Sequence, residues 1–100
     1  MITIILEDKN SNIIKKISEL SNSSYLLQDS KDYSYLSILS LCSYDVFSSK
    51  DMPQLIVDLA RLRKKLHSDK RTSHIDNIID LAMNCMKSND LTLIFTPFDE

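Results

Sequence analysis

Two histidines, two cysteines and a scatter of carboxylates are the residues of this 100-residue chain equipped for chemistry. His67 ends the first of two helical patterns and His74 begins the second. No cysteine or carboxylate cluster lies close enough in sequence to complete a metal site with them. A cation at a helix C-terminus is favoured by the macrodipole, so His67 reads as a capping or surface residue. A histidine beside Cys42 or Cys85 would make a thiol nucleophile and its base. Both cysteines sit among apolar neighbours, far apart and in no CxxC pair, and are expected to be buried, reduced thiols acting as small hydrophobes. Their spacing alone leaves a disulfide open, but a cytosolic location argues against one.

The acids are spread along the chain from Glu7 to Glu100, and most read as turn formers, caps or solvated helix faces. Glycine is absent altogether. Phosphate-cradling loops and dinucleotide fingerprints need glycine for close backbone approach or positive φ, so the familiar nucleotide-binding enzymes are excluded. No catalytic residue, metal or cofactor is expected, and the chain reads as a binding protein.

Arg61, Arg63, Lys64, Lys65, Lys70 and Arg71 place six of the twelve basic residues in one short stretch. That stretch could contact nucleic acid. Against this stand a net charge of −2, neighbouring Asp58 and Asp69, and the lack of an interleaved aromatic residue. The middle of the chain offers another surface. Tyrosine gives large contact area at low entropic cost, and carboxylates steer toward a cationic partner. Asp29, Asp32, Tyr33, Tyr35 and Asp45 are the partner-binding candidates on that ground.

The elements that would position these residues follow from patterning. Residues 2–7 and 12–17 read as a β-hairpin, turning through Asp8-Lys9-Asn10-Ser11. Residues 18–34 read as an ordered connection with a helical turn. Residues 35–47 suit either a buried strand or a short helix, and are taken as a strand. Ser49 and Pro53 open a helix whose apolar stripe runs Met52, Leu55, Ile56, Leu59, Leu62 and Leu66, with Asp58 on the solvated side. Residues 68–71 read as a charged connector. Thr72 or Ser73, with Asp76, then caps a second helix carrying Ile75, Ile78, Ile79, Ala82, Cys85 and Met86. Residues 91–95 form a last strand. The expected fold is α+β: a small antiparallel sheet, made of the N-terminal hairpin, a middle strand and the C-terminal strand, covered by a two-helix hairpin.

Length allows one domain, residues 1–100, with a single two-layer core. Hydrophobic residues make up 43% of the chain, an ordinary share for a globular protein. No signal-peptide pattern follows Met1 and no apolar run is long enough to span a bilayer, so a cytoplasmic, membrane-free location is expected.

The segments ITIILEDKNSNIIKKI, VFSSKDMPQLIVDLARL and LTLIFTPFD, in that order around the second helix, carry a family resemblance. They resemble immunity proteins of bacterial contact-dependent growth inhibition systems, in particular the partners of toxins resembling ribonuclease A. The resemblance covers most of the chain but contains no catalytic motif. It implies one-to-one binding to the toxin's C-terminal nuclease domain and occlusion of its active site. An RNA-cleaving cleft must attract phosphate, and carboxylates with aromatic anchors would answer its positive charge. The alternative from another class is an antitoxin-like regulator that binds nucleic acid through residues 61–71.

Overall fold

A computed structural model describes residues 1–42 and 44–98. Ser43, within the residues 35–47 taken as a strand, and Asp99, the end of the LTLIFTPFD stretch, lie outside the described residues.

Four antiparallel strands form one sheet: β1 (Thr3–Glu7), β2 (Ile13–Ser18), β3 (Asp45–Ser48) and β4 (Thr92–Thr96), in the order β2-β1-β4-β3. A single helical turn, α1 (Ser23–Leu26), follows the hairpin, and two long helices, α2 (Met52–Arg63) and α3 (Asp69–Met86), lie between β3 and β4. The architecture is α+β, as the patterning predicts.

The hairpin turns without glycine. Asp8 Oδ1 accepts from the backbone N–H groups of Asn10 (2.8 Å) and Asn12 (2.9 Å), and Ser11 takes the positive φ of 65°. A β-bulge follows, because Leu6 pairs with Lys15 while Glu7 pairs with Ile13. Ile14 is the extra residue, and the bulge brings Ile13 out beside Glu7. β2 is an edge strand, and its exposed lysines discourage pairing with another chain.

The core lies between one sheet face and the helices. Ile2, Ile4 and Leu6, with Leu93, Phe95 and Phe47, meet Leu55, Leu59 and Leu62 of α2 and Ile75, Ile78 and Ala82 of α3. The Phe47 and Phe95 rings pack edge to face at 5.6 Å.

Several boundaries differ from the sequence expectation. Residues 35–42 form no strand. The backbone N–H groups of Tyr35 (2.7 Å) and Leu36 (3.2 Å) donate to Asp58 Oδ2 instead of to a ladder, and only Asp45–Ser48 pairs with β4. Asp51 is the N-cap of α2 itself; the turn leading into it is capped not by Ser49 but by Ser48. Its backbone N–H donates to Asp51 Oδ2 at 2.9 Å across a short 3-10 turn, Ser49–Asp51. Ser49 is buried, and its hydroxyl donates to Asn89 Oδ1 at 3.0 Å. The connector at residues 68–71 is helical: Ser68 is the N-cap, and α3 begins at Asp69. Asp76 accordingly makes no cap and instead meets Arg63, whose Nε donates to Oδ1 at 2.6 Å and Nη2 to Oδ2 at 3.2 Å. Of the second helix's expected stripe, Met86 is exposed, while Leu81 joins the core.

Candidate interaction face

The sheet has two faces and the helices cover one. On the other, strand alternation and register place Lys16, Ile5, Ile94 and Val46 in one row across all four strands. The neighbouring row holds Ile13, Glu7, Thr92 and Ser48. Tyr44, just ahead of β3, and Phe98, just beyond β4, frame the apolar centre. An open groove of about 320 Å³ runs among Ile5, Ile13, Tyr44, Ile94 and Phe98. A second groove shares Tyr44 and Ile94 with it and extends over Val46 to Glu7 and Asp8, so the two form one continuous surface. Tyr44 is 62% exposed, Ile13 56%, Phe98 54% and Val46 51%, values that leave each large side chain more than half in water. Scattered exposed apolar residues need no explanation, but these four are grouped around the two adjoining grooves on one sheet face.

The rim is polar. Asp8 lies at the hairpin turn, where hydrogen bonds to its carboxylate, that from the Asn12 backbone foremost, hold its pKa below the usual value. It presents a fixed negative charge at neutral pH. Glu7 stands beside it, and Lys9 and Lys16 add cations.

The five candidates chosen for their chemistry do not gather on this face. Asp29 and Asp32 are exposed, on the loop between α1 and β3. The Asp32 carbonyl accepts from Arg61 Nη1, which ties that loop to α2. Tyr33 is fully buried, with the Lys65 ammonium 5.0 Å from its ring centroid. A side chain enclosed in this way cannot touch a partner, and Tyr33 belongs to the core. Tyr35 is half-buried: its hydroxyl donates to Asp51 Oδ1 at 3.1 Å, and its ring leans on Phe47 at 5.2 Å. The bond to Asp51 is the main cause that raises its pKa. Asp45 is half-buried in β3, opposite Phe95. One of its carboxylate oxygens is enclosed without a hydrogen-bond partner among the described residues, as is the Tyr33 hydroxyl.

Other expectations change with them. Cys42 is exposed, because its segment is an irregular loop and not a buried strand. Cys85 is buried as expected, and burial pushes its thiol up to about 11. His67 is exposed. His74 is not at a helix end but in the second turn of α3, buried to 4%. Its Nε2 lies 3.1 Å from Asn22 Nδ2, and its ring meets Tyr25 edge-on at 6.4 Å. Asp58 is buried, not solvated, and also accepts from Gln54 Nε2 at 3.0 Å. The signal for Asp58 was its position: it falls three residues after Leu55 and four before Leu62, inside the apolar stripe.

No family model matches the chain, and no curated protein or solved structure is similar to it. The described residues include no group of three His, Cys, Asp or Glu side chains placed to hold a metal ion, and no helix long and apolar enough to cross a membrane. What the arrangement offers physically is contact: an apolar centre that a partner can dehydrate, set in a charged rim that orients the approach.

Proposed function

We propose that this protein is an immunity protein. It binds the C-terminal nuclease domain of a cognate bacterial toxin one to one, in the cytoplasm of the producing cell, and covers the toxin's active site. The reading draws its partner class from the resemblance of the three quoted segments to contact-dependent growth inhibition immunity proteins. The single observation that carries its mode of action is the uncovered sheet face, with Tyr44, Val46, Ile13 and Phe98 exposed around two adjoining grooves. Tyr44 and Phe98 would act as anchors, and burial of Ile5 and Ile94 beneath them would exclude water. Glu7 and Asp8 at one edge would meet cationic groups lining a phosphate-binding cleft. Asp29 and Asp32, exposed on the α1–β3 loop, would add to long-range steering without lying on the face.

The test is complex formation with the C-terminal domain of the secreted exoprotein encoded next to this chain. A one-to-one complex at micromolar concentration is expected, and its absence overturns the reading. Tyr44→Ala should weaken the complex about 30-fold or more, the scale of a central aromatic anchor, while leaving the unfolding transition in place.

The rival reading, a nucleic-acid-binding regulator, needs residues 61–71 to be available. Arg63 is paired with Asp76, Arg61 with the Asp32 carbonyl, and Lys65 and Arg71 lie over the rings of Tyr33 and Tyr25. These contacts commit much of the cluster to the fold. Retention on DNA that weakens steeply with salt would revive that rival.

A further inference from the structure

Asn22 is a fully buried polar residue in the turn ahead of α1. Its side chain treats the backbone of Ile2 as a neighbouring strand would. Oδ1 accepts from the Ile2 N–H at 2.7 Å, and Nδ2 donates to the Ile2 carbonyl at 2.7 Å. This pair of bonds fixes which way the amide faces, because rotating it would set donor against donor and acceptor against acceptor. The remaining Nδ2 hydrogen points to His74 Nε2, 3.1 Å away. The tautomer of His74 follows from that geometry. Nε2 must offer a lone pair, so the ring is neutral and carries its proton on Nδ1.

We propose that Asn22, Ile2 and His74 form a pH-sensitive latch that ties the start of β1 and the α1 turn to α3, closed when His74 is neutral and released when it gains a proton. A second proton on Nε2 would face the amide hydrogens of Asn22, and the amide cannot turn to accept it without losing both bonds to Ile2. The interaction switches from attraction to repulsion inside a buried site.

The charged and titratable groups around the ring come from two elements and a turn. Glu19, from the turn after β2, favours the imidazolium. The Tyr25 ring of α1 stands edge-on to the imidazole, and its hydroxyl donates to Glu19 Oε1 at 2.9 Å, which occupies part of that carboxylate. Arg71 of α3 itself places its guanidinium 5.1 Å from the Tyr25 ring centroid and adds positive charge nearby. Ile2, just ahead of β1, contributes its backbone N–H and carbonyl. Burial outweighs Glu19, and the pKa of His74 lies below its ordinary 6.5. The sign is then determined. The folded pKa is depressed, so the unfolded chain binds the extra proton first, and stability falls as the pH drops below 6.5 toward the folded pKa.

The test uses the whole chain. Urea unfolding is measured between about pH 7.5 and about pH 5 for the wild type, His74→Gln and His67→Gln. Glutamine keeps an acceptor near the Nε2 position and does not titrate. The wild type and His67→Gln should lose up to about tenfold in the folded-to-unfolded ratio per pH unit within the window, a loss that His74→Gln largely removes. Amide exchange at Ile2 in the wild type should accelerate over the same window. Nitrogen NMR of the wild-type imidazoles provides the readout should the variant fail to fold: His74 must show the Nδ1–H tautomer and titrate below the ordinary 6.5. An equal pH dependence in His74→Gln, an Nε2–H tautomer, or His74 titrating at or above 6.5 would overturn the latch.

Discussion

Asp58 and Asp76 are both aspartates on helices with basic or polar neighbours, yet they do different work. Asp58 is buried and gathers three donors, two of them backbone N–H groups of the α1–β3 loop. Removing it strands those donors away from water, so Asp58→Ala should cost about 3 kcal/mol of unfolding free energy, read from the urea midpoint. Asp76 pairs with Arg63 where each side chain is 47% exposed. Asp76→Ala should cost less than about 1 kcal/mol, despite a bidentate geometry that looks the stronger on paper, because solvent screens the pair. The thiols divide in the same way. Exposed Cys42 should react with a disulfide reagent in the folded protein, while Cys85, enclosed and with its thiol pushed up to about 11, should react only at the rate of unfolding. Equal labelling of both thiols in the native state would contradict this placement.

At the scale of elements, α2 joins the two halves of the molecule. Its stripe of Leu55, Leu59 and Leu62 packs on α3 and the sheet, while Asp58 on the same side collects the irregular loop. Leu59→Ala should therefore cost about 2–5 kcal/mol, measured by thermal or urea unfolding, with the spread set by how far the cavity collapses. The strands carry a different message. Residues 2–6 and 91–95, which carry most of β1 and β4, read ITIIL and LTLIF, nearly unbroken apolar runs, whereas a sheet with one wet face should alternate. Ile5 and Ile94 are the residues that break the alternation, and they occupy the centre of the uncovered face. That excess of apolar character is visible in the sequence as two strand runs without strict alternation. β2 shows the opposite: Lys15 and Lys16 and the bulge keep its open edge from recruiting another strand.

For the molecule as a whole, the consequence is an asymmetric slab, with helices on one side and a partly apolar, acid-edged groove on the other. Binding through that groove should be sensitive to Tyr44 and Val46 and indifferent to charges on the helical side. In the proposed complex, Val46→Asp should weaken binding of the toxin domain about tenfold or more, while Lys64→Glu should leave it within a factor of about two, as judged by titration of the complex. The opposite pattern, with loss at Lys64 and none at Val46, would move the working surface to the helices and favour the nucleic-acid reading.

Elements with a local cause were open to sequence reasoning. The Asp8–Asn12 turn, the two helical stripes and the two apolar strand runs each follow from propensity and period over a few residues, and the helical hairpin on an antiparallel sheet follows from them. Only tertiary structure decided matters that depend on which groups meet across the chain. Asp58 reads as a solvated acid until the 35–36 backbone arrives to use it, and Tyr33 reads as a surface anchor until Lys65 and the core enclose it. His74 reads as a helix-end residue until the helix starts five residues earlier and Asn22, far away in sequence, supplies its donor. A polar side chain carries little sign of its burial beyond a place within an apolar stripe, such as Asp58's, since hydrogen bonds that satisfy it come from distant residues, whereas an apolar run announces its own need for cover.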